Sequence, residues 1–140
     1  MQIDAATVTQ LVIVTGRPAL GQGLRMRLSA EPDLCVVGEA LSCSVAVDQA
    51  RILHPDVVLV EFDIVRANEA GQMRALATLC RQVPVIILTL HDDAFARRCM
   101  ERVNAAALIG KLLPVEELVA SIRQVSHKRL LEYVEDKAEK

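Results

Sequence analysis

Four short apolar runs in this chain of 140 residues each end on residues able to do chemistry. Leu11-Val12-Ile13-Val14 leads into Thr15-Gly16, and Val57-Val58-Leu59-Val60 leads into Glu61, with Asp63 two places further on. Val85-Ile86-Ile87-Leu88 leads into Thr89, and the run from Ala106 to Gly110 leads into Lys111. The set offers hydroxyls, carboxylate and an ammonium, so a Glu61 carboxylate can pair with the Lys111 ammonium beside the Thr89 hydroxyl. Taken singly, Thr89 reads as a satisfied strand-end hydroxyl and Lys111 as a solvated surface lysine. Only their shared position at the ends of runs makes them a candidate site.

Other reactive residues form no pattern. Cys35, Cys43, Cys80 and Cys99 are scattered, without a CxxC pair or a histidine at ligand spacing, and read as small reduced core residues. Neither a metal site nor a disulfide framework is expected. His54, His91 and His127 have no nucleophile partner at a recognisable spacing and are not assigned to catalysis. Gly21-x-Gly23 falls inside a helical pattern instead of following a strand as GxGxxG, so it permits close packing or marks a weak helix. No residue is expected to be catalytic, and the chain is not read as an enzyme.

The elements that must position these residues alternate along the chain. Pro18 opens a helical stripe of Leu20, Leu24 and Leu28, and Leu34 to Gly38 is strand-like. A helix starting near Ser42 or Ser44 turns Ala46, Ala50 and Leu53 inward. Met73, Leu76, Ala77 and Cys80 recur at spacings of three and four. Asp92 and Asp93 offer N-cap oxygens to a helix bearing Phe95, Cys99 and Val103. The last helix opens after Pro114, with Glu116 and Glu117 in its first turn and Leu118, Ile122 and Val125 inward. Val57–Val60 and Val85–Leu88 are apolar without alternation, as strands covered on both faces are. Five β–α units in succession predict an α/β domain, a doubly wound parallel sheet with helices on both faces. Ligands of such sheets bind beyond the carboxyl ends of the strands, which is where Thr15, Gly16, Glu61, Thr89 and Lys111 fall.

Composition narrows the function classes. The chain is 52% apolar but only 2% aromatic, so its core is aliphatic. A formal charge of −2 gives no electrostatic reason for direct contact with nucleic acid or an anionic membrane. The apolar runs are too short to span a bilayer, and Met1-Gln2-Ile3-Asp4 does not open a secretory signal, so a cytoplasmic location is expected. Residues 1–9 read as a tail, 10–126 as one domain, and 127–140 as a helical extension or linker around Leu130, Leu131, Tyr133 and Val134.

Several joined stretches resemble the response-regulator receiver domain of two-component signalling. They are Ala30-Glu31-Pro32-Asp33-Leu34 with Val36-Val37-Gly38-Glu39-Ala40, His54-Pro55-Asp56 with Val57–Val60, Val83-Pro84 with Val85–Thr89, and Pro114-Val115-Glu116-Glu117-Leu118. They are most similar to the branch attached to a helix-turn-helix DNA-binding domain. The resemblance implies a flavodoxin-like (βα)5 fold with strand order 2-1-3-4-5. It also implies an acidic pair after the first strand, a phosphorylated Asp after the third, a Thr or Ser after the fourth and a Lys after the fifth.

Thr89 and Lys111 match that pattern, whereas Thr15 and Gly16 stand at the acidic pair and Glu61 at the phosphoacceptor. Mg²⁺ is a hard cation that needs carboxylate oxygens, so Mg²⁺ binding is expected to be lost or very weak, and with it efficient acyl-phosphate formation. Asp63 is a poor substitute acceptor, because the spacing from Pro55-Asp56 favours position 61. Leu108 stands where the family carries a switching aromatic and is too small for that lever, and Leu112 follows Lys111 where Pro is usual. Two readings of Glu61 stay open: it imitates a phosphorylated Asp, or the site has lapsed and Glu61 is a polar strand end. The expectation is an atypical receiver that acts without phosphorylation through its fourth and fifth helices. Its partner would be an attached effector domain, another protein or a second copy. The alternatives are a weakly phosphorylatable receiver and a small-ligand sensor using room left by Thr15 and Gly16.

Overall fold

A computed structural model describes residues 8–61, 70–89, 94–110 and 114–138. The chain alternates strand and helix throughout: β1 (Thr9–Val14), α1 (Pro18–Ser29), β2 (Leu34–Ala40), α2 (Cys43–Leu53), β3 (Val57–Glu61), α3 (Ala70–Gln82), β4 (Val85–Thr89), α4 (Ala94–Val103), β5 (Ala107–Gly110) and α5 (Val115–Ala138). The strands form one parallel sheet in the order β2-β1-β3-β4-β5, the doubly wound flavodoxin-like arrangement that was expected.

The three central strands carry the core. Side chains alternate between faces, so β1 sends Val12 and Val14 to one side and Leu11 and Ile13 to the other. β3 and β4 divide in the same way, with Val58, Val60, Val85 and Ile87 in the first layer and Val57, Leu59, Ile86 and Leu88 in the second. Ala46, Leu76, Leu79 and Val103 from α2, α3 and α4 cover the first layer. Leu28 from α1 and Leu118, Val119 and Ile122 from α5 cover the second. Because both faces are dry, the runs have no polar alternation, and polar groups are displaced to the strand ends.

Local chemistry sets the element boundaries. Ser42 Oγ accepts the Val45 N–H at 3.3 Å and starts α2. His54 ends α2 in the left-handed region (φ 48°), its N–H donating to Ala50 O at 3.1 Å. Asn104 (φ 61°) does the same for α4. Its N–H donates to Glu101 O while the Ala105 N–H reaches back to Met100 O, a Schellman closure. Asp56 ties the start of β3 to β1: its Oδ2 accepts the Gln10 N–H at 2.7 Å and its own N–H donates to Gln10 O at 2.8 Å. The N-cap expected from Asp92 and Asp93 lies outside the described residues.

The outer strand β2 departs from regular pairing. Leu11 pairs with Val36 but Val12 with Gly38, so Val37 is an extra residue and the strand bends there. A Cβ on Gly38 would lie 2.9 Å from Leu53 Cδ1, so glycine lets α2 settle against the bend. Cys35 corrects the reading of all four cysteines as core residues, since it is exposed on this margin of the sheet. The sheet ends at β2, where Val37 still packs against the first core layer but Cys35 does not. Cys43 is buried, and Cys80 and Cys99 pack half-buried against the first layer; burial pushes the Cys43 and Cys80 thiols up to about 11.

α5 is held by charge as well as by packing. The Arg123 guanidinium grips Asp33 through Nε at 2.8 Å and through a terminal nitrogen at 2.9 Å, and also reaches Glu31 at 3.3 Å. Arg27 joins Glu31 at 3.2 Å and Glu116 at 3.7 Å, completing a ladder between α1, the turn before β2, and α5. Thr9 Oγ1 and Ser126 Oγ lie 3.0 Å apart one turn further along α5, at the same end of the sheet, where the Thr9 N–H donates to Asp33 O at 2.9 Å. α5 then continues unbroken to Ala138, so the segment from 127 to 138 is helical. No helix among the described residues is long and apolar enough to cross a membrane.

Two predictions concern stability. A Cβ at Gly23 of α1 meets nothing, whereas one at Gly21 would lie 3.0 Å from Thr15 Cγ2. Gly23→Ala is therefore expected to raise stability by about 0.5–1 kcal/mol in denaturant titrations, and Gly21→Ala to raise it less or lower it. The Arg123 hydrogen bonds hold the Asp33 carboxyl below its ordinary value. A lowered folded-state pKa stabilises above the unfolded value of about 3.9, and the gain disappears as pH falls through the folded value. Asp33→Asn should lower the melting temperature at neutral pH, by the equivalent of no more than about 1 kcal/mol for so exposed a pair, and match the parent in acid.

Candidate functional site

The register of the sheet lines up the ends of four strands. Val14 pairs with Val60, Glu61 with Leu88, and Thr89 with Gly110. Thr15, Glu61 and Thr89 therefore come to one edge, as the sequence implied. Lys111, Asp63 and His91 lie outside the described residues.

Thr15 is buried and fully engaged. Its N–H donates to Ala40 O at 3.0 Å, and its Oγ1 accepts the Arg17 N–H at 3.0 Å. A hydroxyl used in this way closes a tight turn from strand into helix. α1 lies directly over it, because Gly21 has no side chain to hold Thr15 Cγ2 away. The room that small residues were expected to leave is thus filled at position 15. Gly16 differs. A Cβ there would come no nearer than 3.9 Å to Leu41 O, and no described glycine has a positive φ, so the backbone does not demand glycine.

Arg17 is the residue that sequence reasoning missed. It precedes α1 with φ −116° and ψ 99°, the extended conformation favoured before a proline. From there its guanidinium reaches Glu61 in a fork, Nε to Oε1 at 3.1 Å and a terminal nitrogen to Oε2 at 2.6 Å. The Glu61 side chain is only 11% exposed and that of Arg17 is 60% exposed, so a largely covered carboxylate meets a cation arriving from solvent. The hydrogen bond to Glu61, then its charge, raises the Arg17 pKa further. Planar two-point pairing of this kind is stronger and more directional than a single contact. The signal was present in the sequence as a basic residue directly after Thr15-Gly16 and before Pro18. It carries no motif of its own, and only the fold shows that it faces β3.

Thr89 ends β4 fully buried, at 0% exposure. Leu108, opposite Ile87 on β5, is half-buried and packs against the first core layer. His54 and His127 are exposed. Among the described residues no group of three or more His, Cys, Asp or Glu gathers as a metal would require. A groove of about 300 Å³ lined by Val47, Arg74 and Thr78 lies between α2 and α3.

No family model matches the chain. It is 31% identical over 120 residues to the response regulator GacA of Pseudomonas aeruginosa, an alignment covering 83% of this chain and 54% of that protein. It is 24% identical over 117 residues to the transcriptional regulatory protein DegU of Brevibacillus brevis, covering 84% and 50%. In three dimensions it matches the response regulator domain of Thermotoga maritima CheB with a TM-score of 0.73 at 22% identity, covering 86% of this chain and 97% of that one. Strand order, helix placement and these relatives support a response-regulator receiver domain of two-component signalling. The chain spans about half the length of the curated relatives it matches.

A double-mutant cycle tests the central pair. Arg17→Ala and Glu61→Gln should each lower the melting temperature, and the double variant should lose less than the two losses combined. Strict additivity would show that the fork does not couple the two side chains.

Proposed function

We propose that this domain is an atypical receiver, a regulatory and protein-interaction module that works without phosphorylation. The observation that carries the reading is the Arg17–Glu61 fork beside a Thr15 hydroxyl already committed to its own turn. Phosphoryl transfer to a receiver needs an acidic cluster to hold a divalent cation against the acceptor. Here the acidic pair is replaced by Thr15 and Gly16, and both oxygens of Glu61 accept from a guanidinium. That donor set does not fit Mg²⁺, so no cofactor is assigned and no self-phosphorylation step is derived. The domain is not proposed to be an enzyme.

Its role follows from its relatives. DegU is a transcriptional regulatory protein by name, and this chain aligns with 50% of its length. The domain is proposed to control a DNA-binding output, attached or separate, in the cytoplasm, through α4 and α5. The ladder from Glu116 through Arg27, Glu31 and Arg123 to Asp33 occupies the α1 side of α5. The α4 side is proposed for contact with the output or with a second copy, and nucleic-acid binding is assigned to the output and not to this domain.

Incubation with Mg²⁺ and a small acyl phosphate, followed by intact-mass measurement, tests the reading. The mass is expected to stay unchanged. A stoichiometric, acid-stable and base-labile phosphoprotein would overturn it, and loss of that label in Glu61→Gln or Asp63→Asn would identify the acceptor.

A further inference from the structure

We infer that Arg17 takes the place of the divalent cation in this pocket, so that the chain carries its own counter-charge to Glu61. The inference deepens the phosphorylation-independent reading and rests on it. Three observations converge on the guanidinium.

The first is occupancy. A hard cation at the acceptor would bind the carboxylate through its oxygens, and both oxygens of Glu61 are already engaged, at 3.1 and 2.6 Å. The fork and a metal would compete for the same two oxygens, and the guanidinium charge would repel the cation. The second is pre-organisation. Thr15 Oγ1 fixes the Arg17 N–H from one side at 3.0 Å, and Pro18 at the first position of α1 restricts the Arg17 backbone from the other. The sequence Thr-Gly-Arg-Pro therefore aims the side chain before the ion pair forms. The residue standing at one metal-ligand position now serves to position the cation that replaces the metal.

The third is that the fold does not forbid the ordinary arrangement. A side chain at Gly16 would meet only Leu41 O, at 3.9 Å, and an aspartate at position 15 could accept the Arg17 N–H as Thr15 does. The backbone would still accept an acidic pair. What differs is the charge balance: two carboxylates have been lost and a permanent cation has been seated on the third. An arginine stays protonated at any physiological pH and cannot diffuse away, so Glu61 is neutralised whatever the free Mg²⁺ concentration.

Two measurements test this. In the ¹⁵N-labelled wild-type domain, the Arg17 Nε–H resonance should be resolved and unaffected by added Mg²⁺, and it should shift on Glu61→Gln. A resonance indifferent to Glu61→Gln would overturn the inference. The second measurement is Mn²⁺ binding by electron paramagnetic resonance in a Thr15→Asp/Gly16→Asp background. Adding Arg17→Ala should tighten Mn²⁺ binding at least about tenfold, whereas Arg25→Ala, which removes the same charge beside Glu39, should change it less than about twofold. Equal Mn²⁺ affinity with and without Arg17 would overturn the inference while leaving the phosphorylation-independent reading intact. Acyl-phosphate labelling of the wild type would instead overturn that reading. If the acidic-pair variants fail to fold, the wild-type resonance alone decides.

Discussion

Burial of β1, β3 and β4 on both faces is the constraint from which the rest follows. Leu11 to Val14, Val57 to Val60 and Val85 to Leu88 are each 8% exposed or less, so none of them can host a charge. Polar groups are driven to the strand ends, and because the strands are parallel and in register, the carboxyl ends fall on one edge. A pocket at that edge is thus a product of hydrophobic packing before any of its residues is chosen. That is why Thr15, Glu61 and Thr89 sit at that edge although positions 15 and 16 carry no carboxylate.

Within the frame, the governing balance is electrostatic. A carboxylate as covered as Glu61 needs a partner, since an unpaired charge at that depth is strongly disfavoured. Receivers that hold a metal meet that need from solution, whereas this chain meets it with Arg17. The difference bears on signalling. A pocket neutralised by a diffusible ion can respond to a phosphoryl group that arrives with that ion, while one neutralised by its own side chain is held in one electrostatic state.

The periphery shows how firmly the helices that flank this edge are set. α5 is fixed by Leu118 and Ile122 beneath and by the Arg123 and Arg27 ladder at its side, while the bend at Val37 and the Gly38 contact seat α2. The ladder residues lie far apart in the sequence, with Asp33 and Arg123 separated by 90 positions, so they are paired only by the winding of the chain.

Much of this was legible from the sequence because it is written in local periodicity and composition. Non-alternating Val, Ile and Leu runs announced a sheet covered on both faces, spacings of three and four announced the helices, and the family resemblance carried by the stretches around Pro55-Asp56 and Pro84 implied the strand order. The substitutions at Thr15, Gly16 and Glu61 were read from the sequence only against the pattern that the resemblance implies. The fold alone decided which charges meet. Arg17 and Glu61 are 44 positions apart, and no spacing rule links them. Cys35 looked like core until the sheet ended at its strand. Periodicity reports whether a face is buried, since that depends on near neighbours along the chain. Which cation answers a carboxylate depends on where separate strands place their ends, and only packing sets that.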